Sequence, residues 1–325
     1  METKNNWKPW LYLAPALVLM AIFTFYPLFN TFTIAFLENY DYLSGESVIE
    51  SILKEDGGLT LRNFGYVLGI TPKIVAGKEF YYTNVIQYAI PNTIIITFVT
   101  VPLSVIISLL IAVGLNSIKK LNKIFQTIFF IPYVTNGIAI GMVFAVIFAG
   151  SNGLWNAIFG LGDKYWIDMG ADRTSALIAL CIYIVWHALP YKILIFLSGL
   201  QGIDKQYYQA AQVDSTPKSR VFTKITVPLL SPMILYITIT SLMGAFKSYS
   251  SVVSLFGEGM GTLEADGSGR FITAVGYIYE YFNQVTGGGM GEMLPIAAAA
   301  ALILFVFIMI ITFVQMWANS KKVHY

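Results

Sequence analysis

The chain has 325 residues, of which 56% are hydrophobic and only 12% charged, against about 25% charged in soluble domains. Too little charge remains to cover a water-facing surface, and a net charge of +2 without a basic cluster interleaved with aromatics argues against a nucleic-acid partner. The single cysteine, Cys181, lies in an apolar run and reads as a small buried hydrophobe; the two histidines form no cluster with metal-ligand spacing. Nothing suggests a G-x-S-x-G nucleophile elbow, and no G-x-x-x-x-G-K-[ST] phosphate loop occurs, so the chain is not a P-loop ATPase by itself.

Charged residues divide the chain into long uncharged stretches, and a membrane-spanning helix needs about 20 apolar residues. In chain order they predict helices near 11–36, 88–115, 124–148, 176–199, 227–247 and 294–317, an all-α integral membrane protein with six transmembrane helices. The first is too long for the apolar core of a signal peptide and lacks a small-residue cleavage site; Pro15 and Pro27 predict a break or tilt within it. Between the first two spans, Leu61, Phe64, Val67 and Leu68 follow helical spacing and predict one short amphipathic helix. In the third, Gly137, Gly141, Ala145 and Ala149 make a small-residue stripe suited to close helix contact. The stretch between the last two spans is rich in glycine (Gly257, Gly259, Gly261, Gly267, Gly269, Gly287 to Gly289) and predicts irregular structure.

Lysine and arginine set the orientation. With the N-terminus inside, the cytoplasmic connections collect Lys119, Lys120, Lys123, Lys218, Arg220 and Lys224, whereas most acids fall on the other side, among them Glu38, Asp41 and Glu46. Both termini are therefore expected in the cytoplasm, and the whole of 1–325 is expected to form one transmembrane domain with its principal cytoplasmic loop at 200–226.

That loop reads Leu200-Gln-Gly-Ile-Asp-Lys-Gln-Tyr-Tyr-Gln-Ala-Ala-Gln-Val-Asp-Ser-Thr-Pro-Lys-Ser-Arg-Val-Phe-Thr-Lys-Ile-Thr-Val-Pro228-Leu-Leu-Ser-Pro232. Asp204 is placed to N-cap a helix running to Val213, and Asp214 to Pro217 form a turn into a second helix starting at Pro217. The surface around Ala210 and Ala211 is nearly bare, which predicts close approach of another backbone. An amphipathic connector capping its own bundle is the competing reading of the same residues.

The order of residues closely resembles the EAA loop of binding-protein-dependent ABC importers, in particular the maltose-type sugar permeases. That family's pattern runs approximately E-A-A-x-x-D-G-A, then a Phe, then I-T-x-P-x-x-x-P. Ala210, Ala211, Asp214, Phe222, Ile225, Thr226, Pro228 and Pro232 fall on it, while Gln209 replaces the glutamate and Ser215 the glycine. Further similarity lies at Leu59–Phe64, Phe129–Tyr133, Thr273–Tyr279 and Ala297–Ala301; the family's G-G-P after the fifth span is not evident. The resemblance implies a type I importer permease fold and an ATPase-coupling role for Gln209, Ala210, Ala211, Asp214, Ser215 and Phe222. It also implies a second homologous permease, two ATP-binding subunits that carry ATP-Mg, an external solute-binding protein, a sugar cargo and a multi-pass place among the lipids of a bacterial-type cytoplasmic membrane. This chain would bind no cofactor and would not itself be an enzyme.

Polar residues within the spans are candidates for the translocation path: His187, Tyr191 and Lys192 in the fourth, Tyr236, Thr240 and Lys247 in the fifth. For Lys192, snorkelling or a structural ion pair stands beside a role in the path. The stripe Thr93, Thr97, Thr100, Ser104 and Ser108 reads as helix–helix glue or as path lining. An ion-driven secondary transporter and an ABC permease for a non-sugar solute are the alternative functions. The former lacks support from internal repeats or from acids within the spans.

Overall fold

The computed structural model describes residues 7–38, 40–54, 58–75, 78–80, 85–118, 122–150, 153–168, 170–261, 271–288 and 293–320. The expected Lys119, Lys120, Gly267, Gly269 and Gly289 lie outside them. The described chain is almost wholly helical, with one short antiparallel hairpin pairing Lys73–Val75 with Lys78–Phe80. We name the principal helices α1 (Lys8–Ala35), α2 (Val85–Ser117), α3 (Asn122–Val134), α4 (Gly137–Ile147), α5 (Arg173–Gly202) and α6 (Lys205–Val213). They continue with α7 (Ser231–Phe246), α8 (Ser250–Phe256), α9 (Ala274–Gly288) and α10 (Leu294–Ser320).

Of these, α1, α2, α5 and α10 are each long and apolar enough to cross a membrane in one piece. Two bent helix pairs pass the same test together, each as a broken span or a re-entrant loop. The segment expected as one helix over 124–148 is α3 and α4, meeting at 99°, and Lys218–Leu229 meets α7 at 68°. The first bend has a local cause: Asn136 leaves the helical region and its side-chain Oδ1 accepts from Ile138 N at 2.9 Å, so it caps α4 as a new helix.

Proline shapes the spans in a repeated way. Five-residue π-helical turns at Ala21–Phe25, Val85–Ala89 and Phe222–Thr226 each end two residues before a proline, namely Pro27, Pro91 and Pro228. A proline ring crowds the carbonyl four residues back and offers no N–H, so the wider i to i−5 turn relieves the clash without ending the helix. The interruption expected at Pro27 is this turn; Pro15 sits within continuous helix.

The chain groups into two compact units, residues 1–86 with 277–306 and residues 87–276 with 307–325. In the first, the short helix Arg62–Val67 is pinned to the end of α1. Buried Asn63 donates from Nδ2 to the carbonyls of Ala35 (3.1 Å) and Leu37 (2.8 Å), and Arg62 pairs with Glu38 at 2.7 Å. Hydrogen bonding to Glu38 raises the Arg62 guanidinium pKa above its ordinary value.

The second unit is built on α2 packed along α5, with α7 against both. Val101, Val105 and Leu109 of α2 meet Ile193, Phe196 and Leu200 of α5 and Ile237 of α7 in one buried cluster. Asp172 caps α5, accepting from the Ser175 hydroxyl at 2.6 Å and its N–H at 3.0 Å, and these bonds hold its carboxyl below the ordinary range. The described part of the segment expected to be irregular between the last two spans contains two helices, α9 and α8; α8 ends before the first of its glycines, Gly257, and packs on α4. A Cβ on Gly141 would fall 2.2 Å from Ser254 Oγ, so glycine is what lets these two helices touch.

Candidate functional site

A cavity of about 330 Å³ opens in the second unit where α2, α5, α7 and the turn into α8 converge. Thr100 and Ser104 line it from α2, His187 and Lys192 from α5, and Ser241, Lys247 and Ser248 from α7 and its exit. Among the described residues its lining contains no Asp or Glu. None occurs either in α1 to α5, α7, α8 or α10, so the charged residue types that line the cavity are the lysines, Lys192 and Lys247.

Lys192 is 5% exposed, and its Nζ donates to Ser104 Oγ at 2.5 Å. Ser104 Oγ in turn donates to the Val101 carbonyl at 3.0 Å. The side chain therefore does not snorkel along α5 toward its end, and it has no ion-pair partner among the described residues. A lysine at such depth costs about 2.5–3.5 kcal/mol on insertion scales. One neutral hydroxyl offsets part of this and leaves further ammonium N–H groups for another acceptor. Lys247, at the exit of α7, is exposed and makes no ion pair among the described residues.

His187 is placed by its neighbours. One turn earlier Tyr183 is buried, its hydroxyl donating to the Gly137 carbonyl at 3.0 Å and accepting from Ser254 Oγ at 3.2 Å. Those bonds tie α5 to α4 and α8. Gly137 sits so close that a Cβ there would lie 3.2 Å from His187 Nε2. The expected small-residue stripe thus contacts polar side chains on two neighbouring helices.

The remaining expected path residues separate from this cavity. Tyr191 and Tyr236 meet hydroxyl to hydroxyl at 3.4 Å, and Tyr133 stacks on Tyr191 with ring centroids 5.9 Å apart, forming a partly exposed tyrosine cluster. Thr240 donates back to the Tyr236 carbonyl at 2.8 Å and stays off the cavity wall. The threonine and serine stripe divides as well: Thr93, Thr97 and Ser108 are buried between helices, while Thr100 and Ser104 reach the cavity. Cys181 is half-buried and lines a separate apolar groove of about 590 Å³ between α2 and α5. Sequence reasoning missed the serines at 241, 248, 250 and 251. For the last three the one signal is a polar run, Lys247-Ser-Tyr-Ser-Ser251, directly after an apolar span, whereas Ser241 lies within that span.

The second site is α6 and its turn. Asp204 Oδ1 accepts from Gln206 N at 2.9 Å, capping the helix. At the other end Ser215 N donates to the Gln212 carbonyl (3.1 Å) and Thr216 N to the Ala211 carbonyl (2.9 Å), the paired bonds of a Schellman turn. Ser215 carries the left-handed residue of that turn, with φ of 50°, where glycine is preferred.

The two faces of α6 differ. Ala211 is buried, and Tyr208 reaches Thr226, hydroxyl to hydroxyl, at 3.3 Å, so this side is closed against its own chain. Ala211 therefore does not belong to the bare surface expected around it. The open side shows Tyr207, Gln209, Ala210 and Val213, with Val213 85% exposed. Asp214 and Ser215 are exposed at its end, whereas Phe222 is half-buried against the α2–α5–α7 core together with Ile203. That core reaches from Ile203, just before α6, to Val101 on the cavity lining. Eleven residues of helix separate Lys192 from Ile203, about 16 Å at 1.5 Å per residue.

The geometry can be set beside known proteins. Residues 104–323 match the family model described as binding-protein-dependent transport system inner membrane component. The probable ABC transporter permease protein MG188 of Mycoplasma genitalium is 29% identical over 92% of this chain and 82% of its own length. The lactose transport system permease protein LacF of Rhizobium radiobacter is 26% identical over 96% of this chain and 94% of its own. Among solved structures, a chain of a bacterial ABC transporter that imports the acidic polysaccharide alginate superposes with a TM-score of 0.72 at 17% identity, covering 99% of this chain and 98% of that one. Its fold is therefore shared. With its apolar spans and a family match over most of its length, this chain is a multi-pass membrane transport permease and belongs to the binding-protein-dependent transport system inner membrane components.

Proposed function

We propose that this chain is one of two homologous permease subunits of an ATP-driven importer of sugars or oligosaccharides. It would lie in a bacterial-type cytoplasmic membrane with both termini in the cytoplasm. Two ATPase subunits hold ATP-Mg and dock on α6, and an external binding protein delivers the cargo. The observation that carries this reading is the two-sided build of α6: an exposed face of Tyr207, Ala210 and Val213 backed by Ala211 and Tyr208. A helix open on one side and anchored on the other can receive a partner's groove and pass its displacement on. The receiving body is the packed core that ends at the cavity. Close-packed interiors move as units rather than deforming, so motion of α6 rocks the cavity-lining helices, which is coupling between two distant sites. A relative named for lactose transport supports the sugar assignment. Gln209, in place of the family's glutamate, makes a neutral docking bond instead of a charge-assisted one.

The test is to tag the chain, extract it gently from native membranes and identify its companions by mass spectrometry. A stoichiometric P-loop ATPase and a second permease are expected, with ATP-dependent uptake in proteoliposomes. Replacing the exposed Ala210 with arginine should abolish uptake and release the ATPase while membrane abundance stays normal. Normal uptake in Ala210→Arg, or transport by the chain alone without ATP, would overturn the proposal and favour an ion-driven carrier.

A further inference from the structure

We propose that the cavity selects an anionic carbohydrate, one bearing a carboxylate or phosphate oxyanion, over a neutral one. This rests on the importer reading above and adds the chemical class of its cargo. The cavity presents Lys192 and Lys247 together with hydroxyls from Thr100, Ser104 and Ser241, and no acid among the described residues lines it. Lys192 is buried with Ser104 as its protein partner. Its ammonium has three donors, so N–H groups remain for an acceptor in the cavity. Lys247, at the end of α7, adds a second basic side chain to the lining of the same cavity. A neutral sugar could be held by hydroxyls and amides alone; a buried, uncompensated lysine adds cost for such a cargo. An oxyanion reverses that balance, because it supplies the missing counter-charge inside a low-dielectric cavity where charge-assisted bonds are strong. The serine and threonine hydroxyls that also line the cavity suit the remaining hydroxyls of a saccharide. Selectivity then arises from the penalty on leaving Lys192 unpaired as much as from attraction to the anion.

The experiment uses the purified importer complex in lipid nanodiscs and calorimetric titration with trigalacturonate, neutral galactotriose and glucose 6-phosphate. One of the two anionic saccharides is expected to bind at least about tenfold more tightly than galactotriose. Trigalacturonate and glucose 6-phosphate separate the carboxylate from the phosphate source. In Lys247→Gln, whose side chain is exposed, and in Lys192→Gln the preference should fall toward unity, and raised salt should weaken the anionic sugars alone. Equal binding of charged and neutral saccharides, a preference unmoved in Lys247→Gln, or binding of none of the three would overturn the proposal. The same preparation keeps the two readings apart. An intact ATPase and second permease with neutral-sugar binding leaves the importer standing without anion selection, whereas a preparation lacking the ATPase sinks the importer reading itself.

Discussion

The α6 turn and the lysine cavity belong to the same unit yet are built on opposite plans. Asp204, the capped helix and the Schellman turn occupy a single run of residues, and every bond that shapes them spans a few positions. The cavity gathers Ser104 from α2, Lys192 from α5 and Lys247 from the end of α7, and Lys192 and Ser104 are 88 positions apart. A local motif survives small changes elsewhere, because its caps are its own. A convergent site depends on how closely the helices that carry it can approach. Substitutions should therefore have unequal reach in the two regions.

The largest effect is expected at Gly141, where α4 meets α8. Gly141→Val would drive a side chain into Ser254 and push α8 off α4, at a cost of about 3 kcal/mol. Thermal unfolding of the complex in detergent should shift downward, and uptake should be lost together with the cavity wall. A wild-type melting curve would mean that α8 is held by something other than this contact.

Next in size is Ser104→Ala, which strips Lys192 of its acceptor and should cost about 1.5–3 kcal/mol. Lys192→Met sharpens the point, since it removes the buried charge and keeps the volume. Stability should then stay within about 1 kcal/mol of wild type while transport of the cargo falls. Loss of stability in the methionine variant would mark Lys192 as a structural element rather than part of the path.

Smaller effects belong to the loop. Asp204→Ala removes the N-cap of α6 and should cost about 1 kcal/mol, read as faster hydrogen exchange of the Lys205–Val213 amides with little change in global melting. Ser215→Gly should move in the opposite direction, stabilising the turn by up to about 1 kcal/mol because the left-handed position no longer crowds a Cβ. Slower exchange at the end of α6, with uptake retained, is the expected reading. If either substitution altered the cavity's binding as strongly as Ser104→Ala, the contrast between local and convergent construction would fail.

The amino-acid order alone was enough for the membrane class, the apolar spans, the capped α6 and the turn at Ser215. Each follows from a short-range rule: the length of an uncharged run, the side chain before a helix, the residue after its end. It also pointed to His187, Lys192 and Lys247, because ionisable groups stand out in an apolar run. Only the tertiary structure could say that these three share a cavity while Tyr191, Tyr236 and Thr240 do not. It alone turned Ala211 and Phe222 inward, set α3 and α4 at 99° to each other, and placed α8 ahead of the glycines in a segment expected to be irregular. The reason is physical. Which face of an apolar helix meets a neighbour, and which faces a cavity, is decided by the packing partner, and a span that is hydrophobic all round carries little periodicity to announce it.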